Sequence, residues 1–225
     1  MRIDKGKMLW HRLSFASNLI SFLNTRRENE IDATRAPQDF ISPNMAFKTI
    51  DAQAIWILAS EYTAILPVVE RALHDAELLN FEQVSSVNID YDGDRLGGSS
   101  SYLAKLCQVN LMRHTLHVVC CAARMSERSG NNAQTLFLLA LLHDFGKHKA
   151  IRDLHSSMQW KKHEQISANY TRFIMNNCNM YEDDYIETIV SIISTHHSMA
   201  TTRPPLLIKL LNDADREARA IEGHK

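Results

Sequence analysis

The chain has 225 residues, 45% of them hydrophobic and 23% charged, which suits one soluble globular domain with or without an appendage. Its formal net charge is -1, so no global basic field points to nucleic acid, and four cysteines without C-x-x-C spacing argue against a disulfide framework or a thiolate zinc finger. The first twenty residues mix acids and bases into a broken apolar pattern, and no run reaches the ~18 apolar residues of a membrane span, which predicts a cytoplasmic protein with no membrane contact.

Seven glycines and five prolines in the whole chain, with almost no period-two alternation, predict an all-α fold of long helices. In chain order, amphipathic periodicity predicts helices over 7–25, 46–58, 60–82, 99–127, 132–146, 160–177, 182–197 and 205–220. The stretch NIDYDGDRLGGSS, 88–100, is the clearest loop, and a short hairpin near 84–96 is weakly signalled. This loop divides a helical N-terminal extension, 1–98, from a motif-bearing domain, 99–225.

The stretch LLALLHDFGKHKA, 138–150, carries the chemistry. Leu136 to Leu142 have no polar side chain and should be buried, yet His143, Asp144 and Lys147 follow directly. A buried imidazole beside a buried carboxylate needs a partner, and a metal cation serves both. Three other predicted helices end an inward stripe the same way. Cys107, Leu111, His114, Val118 and Cys121 fall at steps of four, three, four and three, so His114 points inward. Ile189, Ile192, Ile193 and His196 share a face, followed by His197, while Ile208, Leu211 and Asp215 share another. Asp213 follows Leu206 and Leu210 almost as well, and two residues rotate a helix by about 200°, so Asp213 and Asp215 exclude one another as ligands.

Neighbours on a helix diverge by about 100°, so His143-Asp144 and His196-His197 need relaxed backbone or two different ions. Gly146, a predicted helix stop, follows the first pair, and Ser198, Pro204 and Pro205 follow the second. An Asp144 carboxylate bridging two cations would give the two-metal clamp used on phosphate esters.

The order His114, His143-Asp144 in HDFGK, His163 in KHEQISA, His196-His197 and Asp215 in NDADREA resembles the HD superfamily of metal-dependent phosphohydrolases, over about 99–220. The resemblance implies an HD-type helical bundle, with His114, His143, Asp144 and Asp215 as core ligands. His163, His196 and His197 would serve a second ion, and Lys147 would lie near the substrate phosphate. The additional histidines resemble the subgroup with two or more metals, which includes cyclic-dinucleotide phosphodiesterases and CRISPR-associated nucleases, although no GYP triplet accompanies the motif. LMRHTLHVV and EYTAILPVVERAL also resemble HD-type relaxases of conjugative elements.

An imidazole-rich set with carboxylates and no thiolate suits Mn, Fe, Co, Ni or Zn, as two ions. The expected function is hydrolysis of a phosphoester, a nucleotide or single-stranded nucleic acid, with Asp144 and Lys147 as catalytic residues. A DNA-nicking relaxase-like module, a di-iron oxygenase and a non-catalytic scaffold stay open as alternatives. His197 or His117 is the candidate general acid. His117, His148 and His155 otherwise read as surface or supporting residues, and Cys120-Cys121 as helix packing. Arg152, Trp160, Lys161 and Lys162 could form a substrate rim or plain helix surface.

Overall fold

The computed structural model describes residues 47–87, 100–154, 162–178, 180–197 and 205–223. Among these the protein is all-α, with no strand and one isolated antiparallel bridge, Ser85 to Asn110. The predicted helix 7–25 and most of the loop 88–100 lie outside the described residues. No described helix is long and apolar enough to cross a membrane.

Helix α1 (Ile50–Ala59) starts where the Thr49 hydroxyl accepts from the Ala52 amide at 3.2 Å, an N-cap for an otherwise orphaned donor. Helix α2 (Leu66–Leu78) carries proline in its first turn, where no amide hydrogen is needed, and follows a 3₁₀ turn at Thr63–Ile65. The expected helix 99–127 is two helices, α3 (Ser100–Cys107) and α4 (Leu111–Arg124), with a further turn at Ser126–Ser129. The break has a local and a distant cause. Asn110 adopts extended backbone and its side chain accepts from the Arg113 amide at 2.8 Å, capping α4. Meanwhile the Ser86 amide donates to Val109 O at 2.8 Å and the Leu111 amide to Val84 O at 2.7 Å, so segment 84–86 takes the bonds a continuous helix would have made.

Helix α5 (Ala133–Leu142) is apolar all round, and every residue from Thr135 to Leu142 is buried. It is the central helix, with α4, α8 (Asp183–Thr195) and α9 (Leu206–Gly223) against it. Helix α6 (Lys149–Leu154) is short, and α7 (His163–Cys178) pairs with α8. Each leucine fully buried on α5, such as Leu136, Leu138 and Leu139, stabilises the fold by about 1.5–3 kcal/mol relative to exposure. One apolar core runs from Phe47 through α1 and α2 into Leu111, the α5 leucines and Ala218. Polar ties join the same parts: Arg113 Nε donates to Asp51 at 2.8 Å, and the Tyr170 hydroxyl donates to Asp75 at 2.8 Å.

The helix predicted to 146 stops at Leu142, and Phe145–Lys147 form a 3₁₀ turn. Gly146 lies in that turn rather than at a helix end. It packs flat on the first turn of α7: an ideal Cβ there would sit 2.1 Å from His163 O and 2.7 Å from Ser167 N. Its amide donates to Ser167 Oγ at 2.8 Å. A residue without a Cβ therefore sets how closely His163 approaches Asp144.

Candidate metal centre

Five helix ends and faces meet at one point. His114 comes from the middle of α4, and His143 caps α5. Asp144 follows at φ -110° and ψ 5°, outside the helical range, which frees its side chain from the direction a continuing helix would impose. His163 opens α7, His196 caps α8 with His197 next, and Asp215 stands on α9. Two groups of possible ligand atoms each fit within 4.8 Å: His114, His143 and Asp144, and Asp144, His163, His196 and His197. Asp144 belongs to both. Asp215 sits beside the first, with Oδ1 3.2 Å from His114 Nε2. Asp213 instead pairs with Arg216.

Two of the imidazoles are oriented from behind by their own helices. His143 Nδ1 lies 2.9 Å from Ala140 O and His196 Nδ1 2.6 Å from Ile193 O. A carbonyl only accepts, so both Nδ1 atoms carry hydrogen and both Nε2 atoms turn lone pairs inward. Nε2 of His114, His143 and His196, with Oδ1 of Asp144 and Asp215, are buried and make no hydrogen bond. Leaving each such atom unsatisfied costs about 1–3 kcal/mol, and cations held by the two groups would satisfy them. His114, His143 and His163 place Nε2 3.3, 3.4 and 3.3 Å from Asp144 oxygens, so nitrogen and carboxylate donors face a common space. The donor set fits a divalent ion with imidazole and carboxylate ligands.

The charges agree. Burial works against ionisation of Asp144, but His143 and Lys147 outweigh it and hold the carboxyl well below its ordinary value. Burial likewise opposes ionisation of Asp215, and His114 overcomes it. Burial, then His197 and His143, push His196 well below the ordinary histidine value, and burial with His163 takes His197 to about 4. These two imidazoles are neutral at pH 7, as ligands must be. Burial lowers His117 as well, against the opposing pull of Glu222. Burial and Arg219 oppose protonation of His114, yet Glu222, Asp144 and Asp215 raise it to about 10.

Lys147 Nζ lies 2.8 Å from Asp144 Oδ2 and donates to Ser86 O at 3.1 Å. His117 is buried rather than on the surface, its Nδ1 2.9 Å from Glu222 Oε1. His148 is also buried, stacked on Phe81 at 5.2 Å, while His155, Trp160 and Lys161 lie outside the described residues. Lys162 is exposed and Arg152 half-buried. Cys120 and Cys121 are buried, and burial raises their thiols to about 12 and about 11, which suits packing and not chemistry. Three site residues escaped the sequence: Glu222, Arg219 and Ser86. Arg219 and Glu222 continue the stripe Ile208, Leu211, Asp215 by steps of four and three, a signal present but not followed past Asp215.

Histidines and aspartates from the ends and faces of five helices and a turn thus gather around orphaned donor atoms in groups that could hold a divalent metal. The family model of the HD domain matches residues 111–220, and this part of the chain is an HD domain. HD domains bind divalent metals and are in general metal-dependent hydrolases of the phosphohydrolase type. Neither the curated proteins nor the solved structures contain a significant match to the chain.

Proposed function

We propose that the chain hydrolyses a phosphoester of a nucleotide or of nucleic acid through two divalent transition-metal ions. One observation carries this: the Asp144 carboxylate completes both possible ligand groups, the arrangement a bridging carboxylate requires. His114, His143, Asp144 and Asp215 would hold one ion, and Asp144, His163, His196 and His197 the other. Ions bound there supply Lewis acidity, polarising phosphoryl oxygens and acidifying water.

The protein's own contribution is preorganisation. Backbone carbonyls behind His143 and His196 fix both rings before substrate arrives, so reorganisation costs little during reaction. Lys147 is held by Asp144 and by Ser86 O at the edge of the carboxylate cluster, where its ammonium can meet a phosphoryl oxygen. The ligand side chains are themselves withdrawn from solvent, with His114, His143, Asp144, His163 and His196 all buried, which strengthens every interaction among their charges.

The test is metal analysis of purified protein with a screen of nucleotides, cyclic dinucleotides and single-stranded DNA, comparing wild type with His143→Ala and Asp144→Ala. Metal-dependent hydrolysis of a phosphoester, lost by more than about 100-fold in both variants, is expected. Turnover that survives both substitutions, or that requires oxygen, overturns the proposal.

A further inference from the structure

Behind the pocket lies a second polar chain that none of the ligand positions explains. The Glu222 carboxylate is fully buried, at 0% side-chain exposure. Its Oε1 is 2.9 Å from Nδ1 of His114 and 2.9 Å from Nδ1 of His117, one helical turn apart on α4. Its Oε2 accepts from Arg219 Nη1 at 3.2 Å. Arg219, itself buried, reaches across to donate from Nη1 to Ser86 Oγ at 2.8 Å and from Nη2 to Ser86 O at 3.1 Å. Ser86 is at 0% exposure, its amide donates to Val109 O at 2.8 Å, and its neighbour Ser85 bridges Asn110, the residue that caps the helix bearing His114.

We propose that Glu222 is the positioning residue for His114, and that Arg219 and Ser86 hold Glu222 in place, so that segment 84–87 is part of the centre rather than an appendage to it. The inference deepens the function proposed above, since it takes His114 as a metal ligand. A carboxylate accepts and cannot donate, so the hydrogen-bonded Nδ1 of His114 keeps its proton whatever happens at Nε2. That leaves Nε2 for the ion and fixes the ring plane. Alone, a carboxylate at this depth would be strongly disfavoured, and three donors aimed at it offset the loss of water. The guanidinium fork suits the task because it spans Glu222 and two Ser86 oxygens at once, which an ammonium could not do in fixed geometry. His143 and His196 need no such support, since backbone carbonyls of their own helices hold them. His114 sits mid-helix, where the carbonyls four residues back are already taken, and so depends on a side chain from α9.

Glu222→Gln preserves size and one acceptor while removing the charge, and Glu222→Asp tests reach. Two readouts separate this inference from the functional one. The first is the His114 Nδ1 proton by NMR on the protein without added metal, expected downfield and protected from exchange in wild type and lost in Glu222→Gln. The second is affinity for Zn(II) or Mn(II), expected to fall about 10–100-fold in Glu222→Gln with unfolding midpoint and circular dichroism showing a folded chain. Ser86→Ala, at the far end of the chain of bonds, is the milder variant should Glu222→Gln not fold. It should weaken metal binding about fivefold, the loss of one hydrogen bond, and raise exchange at the same proton. A protected Nδ1 proton in wild type without any metal affinity would sink the proposed function and leave the positioning role of Glu222 standing. Wild-type protection and affinity in folded Glu222→Gln, or in Ser86→Ala, overturns that role.

Discussion

Gly146→Ala should be strongly destabilising, and the coordinates say by how much. The new Cβ would meet His163 O at 2.1 Å, Ser167 N at 2.7 Å and the His163 carbonyl carbon at 3.0 Å. All three are backbone atoms, so no rotamer change relieves the clash. Either the Phe145–Lys147 turn or the first turn of α7 must move by about 1.4 Å to restore ordinary contact near 3.5 Å. Forced insertion of a methyl into packed structure costs about 1–3 kcal/mol, and backbone neighbours put this site at the upper end. Separating the two turns also stretches the 2.8 Å bond from the Gly146 amide to Ser167 Oγ, adding about 0.5–1.5 kcal/mol. The expected sum is about 3–4 kcal/mol, or roughly 10 °C in melting temperature for a domain of this size. Gly130→Ala is the control: φ is +61° but nothing lies within 4 Å, so strain alone of about 1–2 kcal/mol is expected. Urea denaturation of the two variants, followed by circular dichroism, gives both numbers. Because His163 moves with the α7 turn, Gly146→Ala should also weaken metal binding where Gly130→Ala does not. A Gly146→Ala protein within about 0.5 kcal/mol of wild type would refute the packing account of this turn.

Metal uptake should release close to one proton per chain at pH 8, because His114 is raised to about 10 and must lose a proton from Nε2 to ligate. Affinity should therefore rise with pH up to about 10, and titration calorimetry in buffers of different ionisation enthalpy reads the release directly; no buffer dependence contradicts it. Leu139→Ala empties a fully buried position on α5 and should cost about 2–5 kcal/mol in chemical denaturation, and a loss under about 1 kcal/mol would mean α5 is not central. Tyr170→Phe removes a 2.8 Å bond to Asp75, which keeps its pairing with Arg71, so about 1–2 kcal/mol is expected by the same assay, and an unchanged midpoint would show that tie between α2 and α7 to be idle.

Most of the fold was legible because its signal is local. The apolar run Leu136–Leu142 reads as buried in any arrangement, and the steps that turn His114, His196 and Asp215 inward survive as helical faces. What escaped is what depends on distant chain. The helix break at 108–110 comes from pairing with 84–86, a contact of low sequence signal, although Asn110 could have been recognised as an N-cap. The stripe through Cys107 crossed that break unseen. Ser86 carries no motif, and its place beside Lys147 and Arg219 follows only from that pairing. The choice between Asp213 and Asp215 rested on near-equal stripes, and the coordinates separate them by partners: Arg216 for one, His114 for the other.

The centre is tested most directly by counting ions. Purified wild type analysed by mass spectrometry should carry two divalent transition-metal ions per chain, one for each group that Asp144 completes. Asp144→Asn, which keeps the shape and removes the shared charge, should hold fewer than one. Wild-type protein that binds no such ion, or Asp144→Asn protein that retains the full load, would contradict a centre built on Asp144.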